Sequence, residues 1–217
     1  MNIIKVLKNR YSTKEFDETK KMTEEQIVAL EDLLQLSPSA TNIQPWQFII
    51  ATTEEGKKKI AKSASGFYSF NEKKILNSSA VVVFASKVTL TEEHLNKVLD
   101  KEELDGRYAD ATFKAQYNGT RTTFANMHKF DFRDFAHWSD KQLYINLGNF
   151  LLGVACLGLD AVALEGLDFK ILNEELNFSK NDCSASFAVA VGYHKDSDFN
   201  KNLPKSRLDK ADIIKRI

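Results

Sequence analysis

An α+β fold is what this chain predicts, and three observations lead there. Stretches with helical periodicity outnumber strand-like ones. The strand-like runs stand isolated among helices of unequal length, which is not the regular βαβ alternation of a doubly wound sheet. The chain has 217 residues, 43% of them hydrophobic and only 9 Gly and 3 Pro. That length and composition predict one domain over residues 1–217 with a core of its own.

Taken in order, residues 2–9 read as a short amphipathic helix. Thr23 and Gln26 have capping-box spacing, and Ile27, Leu30, Leu33 and Leu34 then repeat at helical period until Pro38 stops them. Trp46–Ala51 reads as a strand, followed by a lysine-rich helix over 54–62. Residues 80–85 form a continuous Val-rich run, the pattern of a strand buried on both faces. Helices are predicted over 92–105 and 109–127. Ser139 and Gln142 repeat the capping-box spacing and open a predicted helix that runs to Leu157. That helix is apolar nearly all the way round, so it has to be covered on every side, partly by a second subunit. Strands are predicted over 161–164 and 184–191.

Thirty basic residues balance thirty acidic ones, for a formal charge of +0, which argues against a dedicated nucleic-acid binder. The amino terminus interleaves lysines with its apolar residues and lacks the pattern of a secretory signal. The longest apolar tract, 150–159, is about half the length a membrane span needs. Cys156 and Cys183 form no C-x-x-C pair, so a reduced, cytoplasmic location is expected, with no membrane partner. The histidines, His94, His128, His137 and His194, have no metal-ligand spacing, so no metal is expected. No G-x-S-x-G elbow, Walker loop or G-x-G-x-x-G turn is present, which removes the usual starting points for hydrolase, kinase and Rossmann readings.

What remains is a set of basic and hydroxylic segments. Arg10-Tyr11-Ser12-Thr13-Lys14 offers a guanidinium and several donors of the kind that bind phosphate, and Lys205-Ser206-Arg207 places two cations around a hydroxyl. Taken alone, the first reads better as an ordinary polar loop and the second as a solvated tail. The turn from Ser37 to Trp46 is stiffened by Pro38 and Pro45. Asn71 and Lys74 share one helix face. At Glu165-Gly166 a strand ends on a glycine that would let a backbone N–H approach a flat ligand.

In this order and at these spacings, the segments resemble the nitroreductase family of FMN flavoproteins over essentially the whole chain. The likeness extends to Asn146-Leu147-Gly148-Asn149 and, within the family, to the oxygen-insensitive NAD(P)H nitroreductases of enteric-bacterial type, also described as dihydropteridine reductases. The resemblance implies a nitroreductase-like fold with a central, mostly antiparallel sheet flanked by helices, in a homodimer with FMN at the subunit boundary and a carboxy-terminal segment, from about residue 208, exchanged across it. It implies that Arg10, Lys205 and Arg207, with Ser12 and Ser206, surround the FMN phosphate. Tyr11 and Thr13 belong to the same loop, and Lys14 and Asn71 face the polar edge of the ring. Glu165 and Gly166 lie against it, and Ser39 and Asn42 come from the other subunit. Lys14, Thr41, Asn71, Lys74 and Arg107 match the family's dinucleotide contacts, and Phe70 and Phe124 its acceptor face. No side chain is assigned as a chemical catalyst, because hydride passes through FMN N5. The implied activity is two-electron reduction of nitroaromatics, quinones or related acceptors by NADH or NADPH, with ping-pong kinetics. A dihydropteridine or free-flavin reductase, or a non-catalytic flavin-binding dimer, fits the same residues. Ala40, Gln47, Thr123 and Ala163 depart from the usual pattern, which has Ser, His, an aromatic and Pro there.

Overall fold

The computed structural model describes residues 2–217, and its centre is a four-stranded sheet in the order β1-β2-β4-β3 with every pairing antiparallel. Helix α1 (Ile3–Asn9) leads into the segment carrying Arg10. Helix α2 (Glu24–Gln35) starts at the anticipated capping box, with Thr23 and Gln26 satisfying each other's backbone N–H groups. Strand β1 (Trp46–Ala51) follows, then α3 (Glu54–Ala61), α4 (Glu72–Asn77) and β2 (Ala80–Lys87). Beyond them come α5 (Glu92–Leu104), α6 (Ala111–Asn126) and the long α7 (Phe135–Cys156). The chain then runs through β3 (Asp160–Leu164), α8 (Phe169–Leu176), β4 (Cys183–Gly192) and the short α9 (Lys210–Ile213).

Alternation along β2 divides the core in two. Val81, Val83 and Ala85 face one layer with Ile60, Ile75, Leu172 and Phe178, drawn from α3, α4, α8 and the turn after it. Val82 and Phe84 face the other, against Leu30 and Leu34 of α2 and Leu143, Phe150 and Val154 of α7. Because both faces are covered, β2 is buried from Ala80 to Ser86, as its unbroken apolar run requires. Phe84 stands at the crossing, with ring centroids 5.1 Å from Phe48, 5.5 Å from Phe150 and 4.8 Å from Phe187.

Three elements differ from the sequence expectation. Helix α7 begins at Phe135, not Ser139, so Ser139 and Gln142 lie inside it. Their three-residue spacing is also the repeat of a helix face, and their side chains reach the neighbouring loop: the Ser139 hydroxyl donates to Pro45 O (3.1 Å), and Gln142 Oε1 accepts from Ala40 N (2.8 Å). Between α6 and α7 the chain tightens into a π-helical turn, Met127–Asp131, and passes through Arg133 at φ 54°, so the two helices almost abut. Helix α8 has no counterpart in the sequence reading, although Asp168 caps it by accepting from Lys170 and Ile171 N–H.

Among the apolar side chains left uncovered within one chain, two stretches bear on assembly. Tyr144, Ile145, Gly148 and Asn149 lie exposed along one flank of α7, and every residue from 201 to 217 is exposed, including Leu203, Leu208, Ile213 and Ile214. Among the described residues no helix is long and apolar enough to cross a membrane.

Since Phe84 joins both helices of one layer to the sheet, Phe84→Ala is expected to lower unfolding free energy by about 3–5 kcal/mol. Urea denaturation checks this: the midpoint should fall with an unchanged m-value, and a loss under about 1 kcal/mol would show that α7 does not depend on the ring.

Candidate active site

Helix α1 ends because Arg10 turns extended (φ −60°, ψ 141°) after its N–H closes the last turn on Val6 O at 2.9 Å. The next residues run beside β3, where Ser12 pairs in parallel with Ala161 and Thr13 N–H donates to Ala161 O at 3.3 Å. Asp198, fully buried, fixes the far end of this segment: its Oδ2 accepts from the N–H groups of Lys14 (2.9 Å) and Glu15 (3.4 Å). Asn200 Nδ2 donates to Ser12 O at 2.8 Å. Thr13 is buried and Tyr11 sets its ring edge-on to His194, 6.1 Å between centroids, so these two brace the segment from within.

The two ends of the chain meet here. Lys205 Nζ donates to the carbonyl of Arg10, and the Arg207 guanidinium turns back onto Ser206 O at 2.6 Å. Burial and the nearby Arg207 charge pull the Arg10 guanidinium below its ordinary range, and burial with Arg10 and Arg207 does the same to the Lys205 ammonium. None of the three cations has a carboxylate partner within 4.0 Å among the described residues. Three cations without a counter-charge leave a positive patch that attracts an anion.

A second pair of cations continues the trough. Burial and the charge of Lys14 depress Lys74, whose Nζ donates to Phe70 O and to Asn71 Oδ1, each at 2.8 Å. The Asn71 amide passes the chain on, donating from Nδ2 to Gly166 O at 2.9 Å. A Cβ on Gly166 would stand 2.9 Å from that nitrogen and 3.1 Å from the Phe70 ring, so the glycine is required for this close approach. Glu165 is held from the other side by the Tyr144 hydroxyl at 2.8 Å, and burial together with that carboxylate pushes the phenol up to about 12. The Gly166 N–H has no acceptor among the described residues. Taken together, the trough offers cations at one end, further cations with an amide along one edge, and a free backbone donor. This donor set fits a flat aromatic ring bearing a phosphate, the chemistry of FMN.

The other predicted residues form a separate group. Ser39 Oγ accepts from Gln44 N–H at 3.0 Å, and the turn between them holds Thr41 (φ 50°), Asn42 (φ 54°) and Gln44 (φ 46°) in left-handed conformations. For non-glycine residues such conformations cost about 1–3 kcal/mol each, so the surroundings must impose them. Two residues that sequence reasoning missed do so. Arg121, fully buried on α6, donates from Nε to Thr41 O at 3.0 Å, and Glu102 on α5 accepts from Asn42 Nδ2 at 2.7 Å. Arg121 and Glu102 also pair with each other, and Tyr108 donates its hydroxyl to the same carboxylate. Burial works against the Glu102 carboxylate, but hydrogen bonds from Arg121, Asn42 and Tyr108 outweigh it and hold the carboxyl below its usual range. Arg107 lies 3.9 Å from Glu102 and over the Tyr117 ring, and Phe124 is exposed on α6.

No hydrogen bond, ion pair or ring contact joins this second group (Ser39, Thr41, Asn42, Arg107, Phe124) to the first among the described residues. Helix α7 reaches both, touching Ala40 through Gln142 and Glu165 through Tyr144. The overlooked residues carry a faint sequence signal. Glu102 lies four residues after buried Val98, and Arg121 four before buried Ala125, so each charge falls on the core-facing side of its helix.

Comparison with known proteins identifies the family and the fold. The Nitroreductase family pattern matches residues 7–193. The chain is 50% identical to the oxygen-insensitive NAD(P)H nitroreductase of Enterobacter cloacae, covering 99% of both proteins. It is 33% identical to the major NAD(P)H-flavin oxidoreductase of Aliivibrio fischeri, covering 98% of this chain and 97% of that one. Its fold also matches a protein of Exiguobacterium sibiricum crystallised in complex with FMN, with a TM-score of 0.81, 20% identity, and coverage of 100% of this chain and 98% of that one. The chain belongs to the nitroreductase family.

Proposed function

We propose that this protein is an FMN-dependent NAD(P)H oxidoreductase that reduces nitroaromatics, quinones or related acceptors by two electrons. The observation that carries the reading is the meeting of Arg10, Lys205 and Arg207 beside the Lys14–Lys74–Asn71–Gly166 trough. Arg10, Lys205 and Arg207, with the hydroxyls of Ser12 and Ser206, hold the cofactor phosphate. Lys14 and Asn71 take the polar edge of its ring, Glu165 and Gly166 its centre, and Tyr11 and Thr13 stiffen the loop that carries them. Bound FMN supplies the hydride-carrying ring, and the protein supplies position and charge. At an effective dielectric near 20, a cation 4 Å from a developing anion is worth roughly 4 kcal/mol before desolvation is subtracted. Lys14 and Lys74 provide such charge, so the trough favours negative charge at the ring edge.

Ser39 and Asn42 complete the site from a second copy of the chain. That assignment accounts for the two separate groups of predicted residues and for the uncovered surfaces. The exposed flank of α7 and the exposed residues 201–217, with Leu208, Ile213 and Ile214, are what a homodimer with exchanged carboxy-terminal segments would cover. Thr41 and Arg107 of one copy, together with Lys14, Asn71 and Lys74 of the other, receive NADH or NADPH, and Phe70 and Phe124 line the same face, on which the acceptor then stacks. Successive use of one face gives ping-pong kinetics, with parallel double-reciprocal lines. The chain acts as one domain in the cytoplasm, where Cys156 and Cys183 stay reduced and burial keeps the Cys183 thiol protonated.

Purified protein is expected to be yellow, to bleach with NADH under anaerobic conditions and to regain colour on adding a nitroaromatic. A folded but colourless preparation that takes up no FMN would overturn the reading. Replacing Arg207 or Lys205 with Ala is expected to weaken FMN binding by about 1.5–3 kcal/mol, more than tenfold in Kd. Fluorescence titration of the apoprotein measures this, and unchanged affinity would remove both residues from the site. Deleting residues 208–217 is expected to shift the sedimentation coefficient from dimer toward monomer, and an unaltered dimer would show that the tail does not cross between copies.

A further inference from the structure

Glu102 is the hub of the second group. The residue is 4% exposed, yet its carboxylate accepts from Asn42, Tyr108 and Arg121 and lies 3.9 Å from Arg107. Two of those partners, Asn42 and Arg107, stand apart in sequence and were each singled out as site residues from sequence alone. Arg121 extends the hub to a third, since its Nε donates to Thr41 O at 3.0 Å. Its guanidinium also lies over Tyr117, 5.4 Å from the ring centroid, and the Arg107 guanidinium lies over the same ring at 5.8 Å. The Asn42 amide is fixed at both ends, because Oδ1 accepts from Gln44 Nε2 at 3.2 Å while Nδ2 serves Glu102.

A buried charge pair contributes little net stability compared with apolar packing, so its retention points to a geometric task. Here the task is visible. His94 on α5 also touches the turn, at Ile43 O (2.7 Å), but among the described side chains of α5 and α6 only Arg121 and Glu102 bond Thr41 and Asn42 themselves, and without them Arg107 loses the acid beside it. We propose that the Glu102–Arg121 pair is a positioning device that aligns Thr41, Asn42 and Arg107 and thereby sets how well the pyridine dinucleotide is received. This rests on the reading of Thr41 and Arg107 as dinucleotide contacts. A small acceptor has no second nucleotide half to reach Arg107, so the device acts on the donor half-reaction far more than on the acceptor half-reaction.

The test uses the flavin-loaded enzyme. In ping-pong kinetics kcat/KM for donor and acceptor are independent, and bound flavin is counted from the visible spectrum. With FMN kept saturating, because Asn42 also belongs to the flavin site, Glu102→Gln is expected to lower kcat/KM for NADH by about five- to thirtyfold, with kcat/KM for a nitroaromatic within about twofold. Because that variant leaves Arg121 buried without a counter-charge, Tyr108→Phe is the second variant. It removes one donor, keeps the ion pair, and is expected to lower the NADH value by about two- to fivefold. Equal loss in both half-reactions at saturating FMN would make the pair a structural brace only and overturn the inference. So would an unchanged NADH value in both variants while Arg107→Ala lowers it. If Arg107→Ala and Thr41→Ala also leave NADH untouched, the dinucleotide reading itself fails, and the inference falls with it.

Discussion

Arg10, Lys205 and Arg207 lie close enough to repel one another, and the chain holds them together through backbone contacts, not counter-charges. The carbonyl of Arg10 accepts from Lys205, and Arg207 folds back on its own neighbour. The loop that carries Arg10 is pinned by Asp198, but that carboxylate is taken up by the N–H groups of Lys14 and Glu15. The positive field is therefore left for a ligand. Such an arrangement costs stability in the isolated chain, and an anion offsets the cost on binding. It explains why residues near both ends of the chain must be brought to one edge of the sheet, and why β3, which pairs with the Arg10 loop through Ala161, is the edge strand.

Helix α7 connects that field to the rest of the molecule. Its buried face anchors the sheet through Leu143, Phe150 and Val154, and Asp140 accepts from Ser86 and Ser186, tying the helix to the point where the β2–β4 register shifts. Its Gln142 and Tyr144 reach the two separate groups of site residues. A displacement of α7 would thus move both groups at once. The strained Thr41–Gln44 turn adds a second constraint, because its left-handed residues persist while Ser39, His94, Glu102, Arg121 and Gln142 hold the turn.

Much of this was legible in the sequence, for identifiable reasons. The Val-rich run of β2 and the Thr23–Gln26 box are local patterns with one good solution each. Arg10, Lys205 and Arg207 could be grouped because the order of segments resembles one family, although each segment alone reads as a polar loop or a solvated tail. Other features had no such signature. Ser139 and Gln142 have a spacing that suits both a cap and a helix face, and only the abutting π-turn and Arg133 place α7's start earlier. In a chain that is 28% charged, buried Asp198, Glu102 and Arg121 look like ordinary surface charges until the fold places them. Helix α8 is short and lies between Glu165-Gly166 and a left-handed Asn177, so its apolar repeat is too brief to stand out.

The central claim is that cations from opposite ends of the chain converge on one phosphate. Comparing the affinity of the apoprotein for FMN and for riboflavin, which carries the same ring without the phosphate, at low and high salt tests it most directly. The account expects FMN to bind at least about a hundredfold more tightly in low salt, with the gap narrowing as salt screens the cations. Equal affinity for the two flavins, insensitive to salt, would contradict it.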